Sequence, residues 1–154
     1  MIVVDRTVRE PELPDIPRGY ARDTMTLGWE ERVQAHGRRQ SDGGVEFALD
    51  LPRGSVLRAG DCFVLDAVRT VVIVVERPEP VFVIEPRSAQ EWALYAYHIG
   101  NRHQPVMITD RALVCPDLPG VAQLLHQQHI PHAQAVLPFT PATVGAGHQP
   151  GHQH

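Results

Sequence analysis

The sequence is poor in cysteine. Its two cysteines, Cys62 and Cys115, are too few for a disulfide framework, and a cytosolic setting would keep them reduced. No apolar run approaches the roughly 18–20 residues that a membrane-spanning helix needs. The opening Met1-Ile-Val-Val-Asp-Arg has no charged n-region, apolar h-region or cleavage site of a signal peptide. A cytoplasmic protein, free of any membrane, is the expectation. There is no basic excess either: 14 Lys and Arg stand against 18 Asp and Glu, a formal net charge of −4. A general nucleic-acid binder needs a basic footprint, so that class is excluded. HExxH, Walker-type and GxSxG signatures are all missing, and the glycine-rich stretches are two-residue turns too short to cradle phosphate. Paired carboxylates such as Glu30-Glu31 read as surface. Nothing here supports an enzyme.

What remains is an ordinary apolar fraction, 43% over 154 residues, enough for one domain or two small ones. Ile2–Val4, Thr24–Trp29, Val45–Leu51, Val56–Leu57, Cys62–Leu65 and Thr70–Val75 read as short strands. Proline spacing makes Glu10–Tyr20 a loop, and Ser41-Asp42-Gly43-Gly44 is a turn. Glu30–Gln40 is ambiguous between helix and strand. This turn density predicts a small all-β sandwich or barrel over residues 1–76. Arg77-Pro78-Glu79-Pro80 reads as a linker. Beyond it the pattern becomes strand Val81–Ile84, helix Ala89 to about Ile99, strands Pro105–Ile108 and Arg111–Cys115, helix Leu118–Gln128, and strand Ala133–Leu137. Ser88 and Glu91 suit a capping box, and Gly100-Asn101 suit a helix stop. The βαββαβ order over residues 77–141 is the ferredoxin-like plan, so the chain reads as α+β. Residues 142–154 form a Pro-, Gly- and His-bearing tail that is expected to be disordered.

Histidine is the residue in surplus: nine in all, six of them after His103. His103 follows the first long helix on a short turn. His98, five residues earlier, would point about 140° away in a continuous helix, so the two form no simple clip. His98 reads as a core or interface histidine and His103 as the freer ligand. One imidazole per chain is a weak metal site, whereas two joined across a two-fold axis are a usable one, and imidazole suits Ni, Zn and Cu. The tail histidines His148, His152 and His154 can fold back as further ligands, or form a solvated terminus or a tag remnant. His126, His129 and His132 read as a surface face. Cys115, near Asp117, reads as a small buried hydrophobe or a soft ligand; Cys62 reads as core and His36 as solvated surface.

Tyr97-His98-Ile99-Gly100-Asn101-Arg102-His103-Gln104-Pro105 resembles the YHLGNRHxP signature of the urease accessory protein UreE family, the nickel metallochaperones of urease maturation. Asp42-Gly43-Gly44, Leu49-Asp50-Leu51-Pro52-Arg53-Gly54, Leu57-Arg58-Ala59-Gly60-Asp61 and Glu79-Pro80-Val81 resemble the same family in order and spacing. So does Pro138-Phe139-Thr140-Pro141. The resemblance implies a β-rich peptide-binding-like domain, a ferredoxin-like metal-binding domain and a homodimer. It implies Ni2+ as cargo, held by His103 across the two-fold with help from tail histidines, His152 first. It also implies delivery to the urease apoprotein through a complex with the accessory GTPase. Zn2+ or Cu2+ can be expected to bind in vitro. Glu30–Gln40 would then be strand. Where some members carry an extra histidine pair, this chain has Cys115-Pro116-Asp117-Leu118, so no auxiliary ligand is carried over. Two alternatives stand beside this reading: a peptide-binding assembly module with incidental metal affinity, and a metal-dependent hydrolase.

Overall fold

A computed structural model describes residues 1–9 and 19–142. Most of the expected proline loop at 10–20 and the His-bearing tail, with His148, His152 and His154, lie outside the described residues. Contacts divide the chain into one unit running from Met1 to Arg77 and another that starts at Pro78.

The first unit is β-rich. Its elements are β1 (Val3–Val4), β2 (Val8–Arg9), β3 (Ala21–Leu27), the one-turn helix α1 (Trp29–Arg32), β4 (His36–Gln40), β5 (Glu46–Asp50), β6 (Asp61–Leu65) and β7 (Thr70–Glu76). They form a three-stranded sheet, β1-β5-β4, and a four-stranded sheet, β2-β6-β7-β3. Alternation places Phe47 and Leu49 of β5 in the core while Glu46 and Asp50 stay exposed. They share one core cluster with Met25, Leu27, Phe63, Leu65, Val72 and Val74 of the other sheet. Glu30–Gln40 is neither wholly helix nor wholly strand. One helical turn ends at Arg32 and β4 begins at His36, because four residues are too few to show a 3.6-residue period. The turn between β4 and β5 is held by Asp23, whose carboxylate accepts from Ser41 Oγ and the Gly43 N–H. A Cβ on Gly43 would sit 2.5 Å from Asp23 Oδ2, which is why the position is glycine.

The second unit contains β8 (Glu79–Ile84), α2 (Ala89–Asn101), β9 (Met107–Ile108), β10 (Leu113–Pro116), α3 (Val121–Gln127) and β11 (Ala133–Leu137). The order is βαββαβ and the sheet order is β11-β8-β10-β9, antiparallel throughout. The whole chain is thus α+β, with a β-rich unit first. Glu79 and Pro80 belong to β8 rather than to a linker. Pro80 can sit there because pairing with β10 begins only at Val81, and its missing N–H falls outside that ladder. One sheet face carries Phe82, Ile84, Leu113 and Cys115 against Ile99 of α2 and Val121, Leu124 and Leu125 of α3. Val81 and Val114, on the other face, are buried as well, and after β11 Phe139 is fully buried, a gain of about 1.5–3 kcal/mol by transfer. Among the described residues no helix is long and apolar enough to cross a membrane.

Candidate metal centre

The candidate centre is built at the C-terminal end of α2. The helix starts at Ser88, whose hydroxyl accepts from the Glu91 N–H at 3.1 Å. The reciprocal half of the expected box is absent: the Glu91 carboxylate instead accepts from the Arg87 N–H at 2.9 Å. Trp92, Tyr95, Ala96 and Ile99 turn to the core, with Ile99 completely buried. Ala93, Leu94 and Tyr97 are left on the exposed side. His98 is half-buried and meets the Tyr97 ring edge-on at 5.5 Å.

The helix does not stop at Gly100-Asn101. It runs through both, and the left-handed residue is His103, at φ 55°. The His103 N–H donates to Gly100 O at 3.0 Å and the Gln104 N–H to Ile99 O at 3.2 Å. These paired bonds are the Schellman closure, which normally places glycine at the left-handed position. Helix end and turn are registered on Ile99, the last side chain that must be buried, and not on the nearest glycine. An L-residue in that region costs about 1–2 kcal/mol. His103 occupies it with its side chain exposed, at the negative end of a 13-residue helix, where a bound cation is favoured.

The second helix ends in the same way. His129, at φ 53°, donates its N–H to His126 O, and the Ile130 N–H donates to Leu125 O at 2.9 Å. Neither histidine's backbone role is visible from spacing, since the usual signal, glycine after the last periodic residue, points elsewhere. His126 and His129 are exposed, as expected of a surface face. His132 lies edge-on to Phe82 at 5.3 Å, with Nδ1 2.9 Å from Ile130 O. His36 is exposed, its Nδ1 3.1 Å from Asp50 on the neighbouring strand.

Cys115 is buried beneath the helices, and desolvation pushes its thiol up to about 12. A thiol so hard to ionise is a poor metal ligand. Cys62 is buried as well. Neither cysteine should react with a disulfide-exchange reagent in the native protein, and both should titrate after unfolding. One thiol per chain reacting at native pH would contradict the buried placement.

Among the described residues no group of three or more His, Cys, Asp or Glu side chains could hold a metal ion. His103 and His98 are not brought into such a set, and the tail histidines fall outside the described residues. A groove of about 710 Å³ lies at the opposite end of α2, where Glu91, Trp92, Tyr95, Asp110, Arg111 and His132 line it, away from the His103 turn.

Comparison with known proteins follows the two units. Residues 6–76 match the N-terminal domain of the UreE urease accessory protein, and residues 79–154 match its C-terminal domain. The chain is 37% identical over 131 residues to a urease accessory protein UreE of Paraburkholderia xenovorans, covering 84% of this chain and 58% of the relative. It is 35% identical over 131 residues to that of Burkholderia vietnamiensis, covering 84% of this chain and 65% of the relative. The chain therefore spans less than two thirds of the length of these two relatives. The urease accessory protein UreE of Nostoc punctiforme is 33% identical over 140 residues, which cover 90% of this chain and 94% of the relative. With both domains matched in order and one relative matched over nearly its whole length, the chain belongs to the UreE family of urease accessory proteins.

Proposed function

We propose that this protein is a nickel carrier for urease assembly, binding Ni2+ through His103. As a member of an accessory family it is not an enzyme. The observation that carries the reading is the family match over residues 79–154, with His103 exposed at the C-terminal end of α2 within Gly100-Asn101-Arg102-His103. A single imidazole at this turn calls for more ligands. In this reading they come from His103 of a second copy across a two-fold axis and from the tail, His152 first, then His148 and His154. A site assembled from two chains and a tail releases its cargo easily, which suits transfer better than storage. Residues 77–141 are the metal-binding domain and 1–76 a peptide-binding-like domain for partner contacts. The partners are the urease apoprotein and its accessory GTPase, in the cytoplasm. Zn2+ and Cu2+ compete for such an imidazole set in vitro.

The test is a nickel titration by calorimetry, with mass by light scattering, on the full chain and on a triple variant, His148→Ala, His152→Ala and His154→Ala. The expected result is one tight nickel per dimer in the full chain and a weaker one in the variant. Because imidazole must be neutral to bind, affinity should fall as the solution is acidified. Tight binding by a monomer would remove the shared site.

A further inference from the structure

The three sheets have six edge strands: β1 and β4, β2 and β3, β11 and β9. An edge presents unpaired N–H and C=O groups, and folded proteins shorten it, charge it or cover it. Five of the six are closed in these ways. β1, β2 and β9 are two residues long. Along β3 the Thr26 N–H donates to the Asp42 carboxylate at 3.2 Å, and the Asp42 N–H donates to Thr24 O at 2.8 Å. β4 carries Arg38 and Arg39, and the Arg39 guanidinium donates to Arg38 O at 2.8 Å and to His36 O at 3.4 Å. β11 has none of these devices. It is five residues long, Ala133-Gln134-Ala135-Val136-Leu137, without charge or proline. Among the described residues it pairs only with β8. Val136 is 65% exposed and Leu137 37%.

Which backbone groups face outward follows from Pro80. Its carbonyl accepts the Asp117 N–H at 3.0 Å, so it points toward β10 and away from β11. Backbone groups alternate sides along a strand, so Glu79, Val81 and Val83 point at β11. Their partners Leu137, Ala135 and Ala133 point back at β8. Gln134 and Val136 are left with two N–H and two C=O groups facing out. We propose that this edge pairs with β11 of a second copy of the chain, antiparallel, about a two-fold axis at Ala135. Gln134 then exchanges both hydrogen bonds with Val136 of the second copy, and Val136 with Gln134 of the second copy. All four groups are satisfied by strand residues alone. A slip one way places Gln134 against Pro138, which has no N–H; a slip the other way needs His132, outside the strand. Exposed Val136 packs on Gln134 of the second copy, and Leu137 on Ala133. β11 has no charge with which to select a foreign strand, and the other edges are closed to it, so the contact is isologous and ends at two copies. The proposal does not rest on the nickel reading. β11 and β9 are opposite edges, and His103 leads into β9, so this two-fold is separate from one that shares a metal at His103.

The experiment uses the full chain with a chelator present, mild diamide oxidation and a non-reducing gel. Ala135 faces its own copy in a non-hydrogen-bonded pair, with Cα atoms roughly 4.5 Å apart, within disulfide range. Ala133 lies roughly 14 Å from Ala133 of the second copy, beyond that range. Cys62 and Cys115 are buried and do not compete. Ala135→Cys should form a covalent dimer and Ala133→Cys should not. Val136→Lys puts a charge on an exposed position of the edge. It should halve the mass read by light scattering and remove the cross-link when added to Ala135→Cys. Should it fail to fold, Gln134→Lys, at an equally exposed position, takes its place. The cross-link should form as readily with His103→Ala added. No cross-link at Ala135, equal cross-linking at Ala133, a mass unchanged by the lysine, or a cross-link that needs His103 overturns the pairing.

Discussion

Replacing His103 by glycine should abolish the tight nickel site and, in the same molecule, raise the stability of the metal-free protein. The two effects have opposite signs because they come from different parts of the residue. In the carrier reading proposed above, the side chain is the ligand. The backbone sits in the left-handed region, at φ 55°, where any L-residue is strained and glycine is not. Relief of that strain is worth about 1 kcal/mol, seen as a higher urea midpoint with an unchanged slope. His103→Ala should lose nickel equally and gain nothing in stability, since alanine keeps the Cβ. His129 gives an internal control. It closes α3 with the same bonds at φ 53°. His129→Gly should therefore gain the same stability and leave the nickel titration untouched. If His103→Gly binds nickel as the parent does, the turn is only a helix cap and the carrier reading fails. If His129→Gly also loses nickel, the centre includes the end of α3.

The βαββαβ order was legible because every element but the two-residue β9 is at least four residues long, and Ser88 marks the start of α2 chemically. The end of α2 was not. Gly100 and Asn101 are the residues that usually close a helix, yet the chain turns only after Ile99 has been seated in the core and two more residues have passed. Tertiary burial set the register and local propensity yielded to it. In the first unit the strands were readable one by one, but not their partners. β1 runs parallel to β5 and β3 parallel to β7, and no local signal encodes a pairing between segments some 45 residues apart. Val8–Arg9 was missed because two residues carry no alternation. The left-handed backbone of His103 was not legible, because Gly100 and Asn101 are the residues that usually take that position.

The largest stability effect should come from a residue that composition would place on the surface. Arg32 is completely buried at the end of α1. Its guanidinium donates to Leu27 O and Leu57 O, and Nη1 lies 3.9 Å from Glu76 Oε1. Glu76, at the end of β7, also accepts from the Ala59 N–H at 2.8 Å and from Arg58 Nε at 3.3 Å. Burial works against the Glu76 charge, but the Ala59 N–H and the two arginines more than offset it and hold the carboxyl below its usual range. Removing one member of such a pair strands the other's charge in a desolvated place, which costs about 3–5 kcal/mol. Arg32→Met should lose about that much and Glu76→Gln somewhat less, because Arg32 keeps its two carbonyl acceptors. Changing both, to Arg32→Met with Glu76→Leu, should recover a large part of the loss, since no charge is then left buried. The sign of the pH effect follows from the depressed carboxyl. Its stabilisation is fully present above the unfolded value, near 4.3, and is lost as pH falls through the lower folded value. Urea midpoints from pH 7 down to 3 should therefore fall steeply in the parent and less steeply in Glu76→Gln, the two curves converging at the acid end. Parallel curves would mean that the Arg32–Glu76 pair carries no pH-dependent stability.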